Sequence, residues 1–260
     1  MADHPLAGIP IALVFVVVVA FAMLAYEAGF RVGRLRDTGT GDDPEGAAGL
    51  VAGSLLALFA FMLAVTMGMA ADRFEARRDL VLQEANAIET TFLRAGFLPE
   101  AERDEIRNLL REYIPVRIAV RGLEQLQEND LRSGELQDEM WVITERLAIE
   151  SPESTALGTF ITSLNEMIDV ENARLVVGVY GRVPTTVIDV LLLGGLLSTF
   201  VLGYHAGLGR RRILTSTALF ILVLSAVVTL IIDLDWPRDG LISVSQQALI
   251  DLQAKVGQPQ

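Results

Sequence analysis

Four apolar runs, each long enough to cross a bilayer and free of ionised side chains in its central part, constrain this chain more than any other feature. They are Leu6–Tyr26, Gly46–Ala71, Val187–Leu208 and Ile213–Ile232. A helix rising 1.5 Å per residue needs about 20 such residues to span the hydrocarbon core. One interior charge would cost roughly 2.5–3.5 kcal/mol on insertion. The sequence is 52% hydrophobic yet 21% charged, so the charged residues crowd between the runs.

The first run is read as an uncleaved span. Its leader Met-Ala-Asp-His-Pro has no Lys or Arg, and the run exceeds a signal h-region of about 7–15 residues. Glu27–Glu45, with Arg31, Arg34 and Arg36 among Gly, Asp and Thr, reads as a loop joining spans one and two. Gly209 followed by Arg210, Arg211 and Arg212 reads as a tight turn joining spans three and four. The expected fold is therefore an all-α integral membrane protein. Four transmembrane helices form two hairpins, with a helical soluble domain inserted between the second and third. The segments are 1–71 (first hairpin, spans about 6–26 and 46–71), 72–183 (acidic helical domain), 184–232 (second hairpin, spans about 187–208 and 213–232) and 233–260 (acidic tail).

Within 72–183 the apolar residues recur at helical spacing. Phe74, Val81, Ala85, Ile88 and Phe92 form a stripe flanked by Glu75, Arg77, Arg78, Glu84 and Glu89, continuing directly out of span two. Pro99 restarts the chain, with Glu100 and Glu102 suited to a first turn and Ile106, Leu110, Tyr113 and Arg117 as the next stripe. Asn129, Ser133 and Gly134 read as a turn before a helix near Glu135–Ile149, and Ser151-Pro152 as the cap of another through Leu157, Ile161, Leu164 and Ile168. No period-2 strand of useful length is present. After span four, Trp236 suits an interfacial anchor and Leu249, Ile250 and Leu252 mark an amphipathic tail.

Composition narrows the function. A net charge of −12 and a single lysine, Lys255, argue against nucleic acid, which needs clustered basic residues. Without cysteine there is no thiolate nucleophile and no Cys-ligated metal, and His4 and His205 lie far apart in sequence. No nucleotide-binding or metalloprotease motif occurs, and no catalytic residue, metal or cofactor is expected; the chain reads as a non-enzyme. Glu84, beside Asn86, is read as either a solvated or an interhelical hydrogen-bonding position. Asp233, Asp235 and Asp239 at the exit of span four would form an acidic ring or cation site if several subunits brought them together. Gly203-x-x-x-Gly207, like Gly194-Gly195, permits close helix packing. Span two mixes Leu55, Leu58, Phe59 and Met62 with Thr66, Gly53 and Gly68. Around a symmetry axis it would line a pore, with Leu58, Phe59, Met62 and Thr66 as the candidate positions.

Two stretches carry a resemblance. Asp72-Arg73-Phe74-Glu75-Ala76-Arg77-Arg78, then Glu84-Ala85-Asn86-Ala87-Ile88, Leu98-Pro99-Glu100 and Tyr113, resemble the bacterial bestrophin-like family, as do Leu191-Leu192-Leu193-Gly194-Gly195 and the closing Asp233-Leu234-Asp235-Trp236-Pro237-Arg238-Asp239-Gly240. The residues carrying the match are Arg73, Glu75, Arg77, Glu84, Asn86, Pro99, Pro237 and Gly240. A fainter resemblance is to the bestrophin anion channels, pentamers in which the second span lines the pore and a helical domain lies between spans two and three. Their aromatic-rich neck is reduced here to Phe59 and Phe61. The resemblance implies a multi-pass protein of the bacterial plasma (inner) membrane, with the lipid bilayer, further copies of itself and ions as partners. By the positive-inside rule Arg31, Arg34, Arg36 and Arg210–Arg212 place both connecting loops in the cytoplasm, whereas the resemblance implies the reverse. Arg73, Arg77, Arg78 and Arg182 flank the other side almost as strongly, so charge does not assign it. The rival function is a membrane-anchored sensor or scaffold whose helical domain binds a protein partner.

Overall fold

All regular structure among the described residues is helical, apart from a single 3-10 turn at Ala95–Phe97. The structure is a computed structural model and describes residues 10–36, 44–118, 123–210, 212, 214–236 and 241–257. The helices are α1 (Ile11–Leu35), α2 (Pro44–Arg94), α3 (Glu100–Arg117), α4 (Leu123–Glu150), α5 (Thr155–Tyr180), α6 (Thr185–Leu208), α7 (Leu214–Asp235) and α8 (Gln247–Val256). Four of them, α1, α2, α6 and α7, are long and apolar enough to cross a membrane. Each overlaps one of the four runs read from the sequence, of which Leu6–Ile9 and Ile213 lie outside the described residues.

The chain divides into two compact units, Met1–Phe74 with Arg182–Ser243, and Glu75–Gly181 with Val244–Gln260. In the first, the closest helix packing is between α1 and α6, with α7 also against α1. Glycine makes that approach possible. A β-carbon on Gly29 would lie 1.9 Å from the Phe200 carbonyl oxygen and one on Gly33 2.2 Å from that of Tyr204. From the other side, Gly203 faces the carbonyl of Tyr26 at 2.1 Å and Gly207 that of Phe30 at 2.4 Å. The pairing index rises together on both helices, so they run parallel, backbone against backbone. Glu27–Leu35, expected to be a loop, is the last part of α1. Gly29, Phe30 and Gly33 are buried along this seam, while Arg31 and Glu27 pair one turn apart at 2.9 Å on the outer side.

The second unit closes around a separate core to which α2, α3, α4, α5 and α8 all contribute. Ile88, Ile106, Leu110, Met140, Phe160 and Leu249 are fully enclosed there. Each such side chain contributes about 1.5–3 kcal/mol on leaving water. Two local expectations are corrected in this unit. Asn129, Ser133 and Gly134 lie inside α4 rather than in a turn, the side-chain polar groups of Asn129 and Ser133 being used within the fold. Asn129 donates to the Val116 carbonyl at 2.9 Å, and Ser133 donates to the Asn129 carbonyl one turn back at 2.7 Å. The helix after Ser151-Pro152 is capped instead by Ser154, whose hydroxyl accepts from the Leu157 amide at 3.2 Å.

Candidate functional site

Within its span, α2 has one covered and one bare face. Ala52, Phe59, Thr66 and Ala70 are buried, seven, seven and four residues apart, which marks a single side of a helix. The opposite side carries Gly53, Ser54, Ala57, Phe61, Ala64, Val65 and Gly68, all exposed. Of the four pore positions read from the sequence, Leu58 is exposed, Met62 is half-buried, and Phe59 and Thr66 face the interior of their own unit. The Phe59 ring seats against α6, where a β-carbon on Gly195 would approach its Cζ to 3.1 Å. The Thr66 hydroxyl is spent on the Met62 carbonyl at 2.8 Å. The four therefore share an arc of α2 but not one environment. Phe61 was not among them, because spacing alone gives a helix its faces without saying which of them neighbours cover.

At the end of α7 two of the three exit carboxylates accept from backbone amides. Asp233, 3% exposed, takes the Leu241 and Ile242 amides at 2.8 and 3.0 Å, and Asp235 takes the Val183 amide at 2.7 Å. They tie the segments before α6 and after α7 to the end of α7. Asp239, Pro237 and Gly240 lie outside the described residues.

The remaining motif residues fall on the later part of α2 and the start of α3. Arg73 is half-buried, Glu75 and Asn86 are exposed, Arg77 is buried with Nη1 donating to the Gly181 carbonyl at 3.4 Å, and Pro99 is exposed immediately before α3. Glu84 is different in kind. It is wholly buried and receives Arg117 Nε at 2.6 Å and Arg174 Nη1, so the interhelical reading holds. Arg117 also donates to Glu171 at 2.5 Å and to Ser133 at 3.2 Å, and Tyr113 donates to Glu171 at 2.8 Å. Gln137 donates to Tyr113 and to Glu171, and Arg174 reaches Gln246 at 2.7 Å. Two carboxyl groups thus meet two guanidinium groups across α2, α3 and α5, with Ser133 and Gln137 of α4 bonded to them. Burial raises the Glu171 pKa above the usual carboxylate value, against the opposing pull of Arg117. Burial likewise lifts the Tyr113 phenol well above its ordinary value. Burial works against the Arg117 charge, but Glu84 and Glu171 outweigh it and hold that pKa above its usual place.

Among the described residues no group of three or more His, Cys, Asp or Glu side chains is placed to hold a metal ion. Against known proteins, the profile of the bestrophin-like domain matches residues 13–249. No curated protein sequence matches. Among solved structures, the crystal structure of a membrane protein is similar at 15% identity and a TM-score of 0.64, covering 95% of this chain and 99% of that one. That likeness is one of fold.

Proposed function

The chain belongs to the bestrophin-like family, and from that premise we propose that this multi-pass membrane protein is a homo-oligomeric ion channel whose second span turns its bare face to the symmetry axis. The observation that supports this reading is the composition of that face. Gly53, Ser54, Ala57, Ala64 and Gly68 are small enough to let several copies of α2 gather around a narrow path, and Leu58, Phe61 and Val65, 57%, 66% and 48% exposed, are the bulky groups beside them. An apolar ring of this kind gates by dewetting. On this reading Met62 flanks the ring, while Phe59 and Thr66, seated against the same chain, fix the rotation of α2 that presents it.

The test is ion flux from liposomes containing the full chain, with the assembly's mass measured in parallel. A selective flux from a multimer that Phe61→Ala increases and Ser54→Leu blocks is the expected result. Sealed vesicles and a monomer would overturn it. They would transfer the function to the sensor or scaffold reading, with the helical domain at 72–183 as the partner-binding part.

A further inference from the structure

The four spans enclose a cavity of about 390 Å³, walled by Val17 and Phe21 of α1, Phe59 of α2, Leu192 of α6, and Ser225 and Val228 of α7, among others. That volume falls in the range of small-molecule sites. Every lining side chain is apolar except Ser225, which sits halfway along α7.

Ser225 differs from four other hydroxyls of the spans. Ser54, Thr66, Thr199 and Thr229 each donate to the carbonyl four residues back, the usual way a membrane helix satisfies such a group. Ser225 is 1% exposed and its Oγ is buried with no hydrogen-bond partner. A hydroxyl left unpaired in apolar surroundings is costly. An acceptor brought in by a ligand removes that cost. Val17 and Phe21 on the rim are 43% and 58% exposed, so entry is from the α1 side of the bundle, where a membrane supplies hydrocarbon.

We propose that this cavity binds a neutral lipophilic molecule, apolar along its length and carrying one hydrogen-bond acceptor such as a ketone oxygen, which reaches Ser225 from the hydrocarbon layer. The site is independent of ion conduction. It is tested with the full chain in liposomes, using a long-chain methyl ketone with a terminal diazirine and the diazirine alkane of equal length, with adducts mapped by mass spectrometry.

Saturable ketone labelling of α1 and α7 around the cavity is expected. Val228→Phe, which fills the space, should abolish it, and Ala22→Phe does the same from α1 if the first variant does not fold. Ser225→Ala should weaken ketone labelling about two- to tenfold, the worth of one net hydrogen bond, and leave alkane labelling unchanged. Non-saturable labelling spread equally over Phe61 and Leu219 would overturn the proposal. So would saturable labelling that neither Ser225→Ala nor a filling variant alters, or equal weakening of both probes by Ser225→Ala.

Discussion

The two compact units solve the packing problem in opposite ways. Around α1 and α6 the helices meet through four glycines that bring backbone against backbone, and polar groups are mostly short hydroxyls folded onto their own helix. In the unit formed by residues 75–181 and 244–257, bulky side chains fill the core, and long charged side chains cross it from helix to helix. Solvent explains the contrast. In hydrocarbon, an apolar side chain gains nothing by turning inward, so closeness of approach and dispersion must hold helices together. In water, burial of bulk supplies the stability, and a charge taken inside has to bring its counter-charge with it.

Variants can break that contrast. The largest effect is expected from Glu84→Ala, which leaves the buried Arg117 and the half-buried Arg174 without this partner. A loss of about 3–5 kcal/mol in denaturant unfolding of the helical unit is the expected outcome, and a change under 1 kcal/mol would mean the network carries no weight. Next, Gly29→Ala and Gly203→Ala push a β-carbon to within 1.9 and 2.1 Å of a facing carbonyl oxygen. Each should cost about 1–3 kcal/mol, read as lowered thermal stability of the detergent-solubilised protein. Gly53→Ala, where a β-carbon meets nothing within 4 Å, should cost nothing comparable.

A further variant sharpens the charged side. The Glu171 pKa is raised in the fold by burial, so the native state holds a proton more readily than the unfolded chain does. Its stabilising effect is complete below the unfolded carboxyl value and is lost as pH rises through the raised folded value. Glu171→Gln should flatten that part of the stability-versus-pH curve; an unchanged slope would assign it to other groups. Smallest is Gly134→Ala. This glycine lies inside α4 with open space around it, and replacement should raise stability by about 0.4–1 kcal/mol in the same unfolding experiment.

The spans were legible because a long run without charge has few alternatives in a chain this charged. The end of α1 was not. Glu27 and Arg31 look like loop residues until one sees that they pair on the outer side of a helix whose other side is glycine. Gly203-x-x-x-Gly207 could be recognised as a packing motif, and Gly29-x-x-x-Gly33 is its match, but nothing local in either says that they face each other. Ser133 and Gly134 misled for a related reason. Serine and glycine signal a turn only when no distant group claims them, and Arg117 claims Ser133 from another helix. The bare face of α2 needed neighbours to be defined, and the partners of Glu84 lie 33 and 90 residues away.

The seam between α1 and α6 also sets a timetable for biogenesis. Gly29 leaves the ribosome 174 residues before Gly203. At about 5–20 residues per second, synthesis leaves the first span waiting roughly 10–35 s before its partner exists. During that interval its small-residue groove faces lipid or an insertion factor. A variant that weakens this groove should therefore lower the yield of assembled protein made in cells more than it lowers the stability of molecules that have already matured.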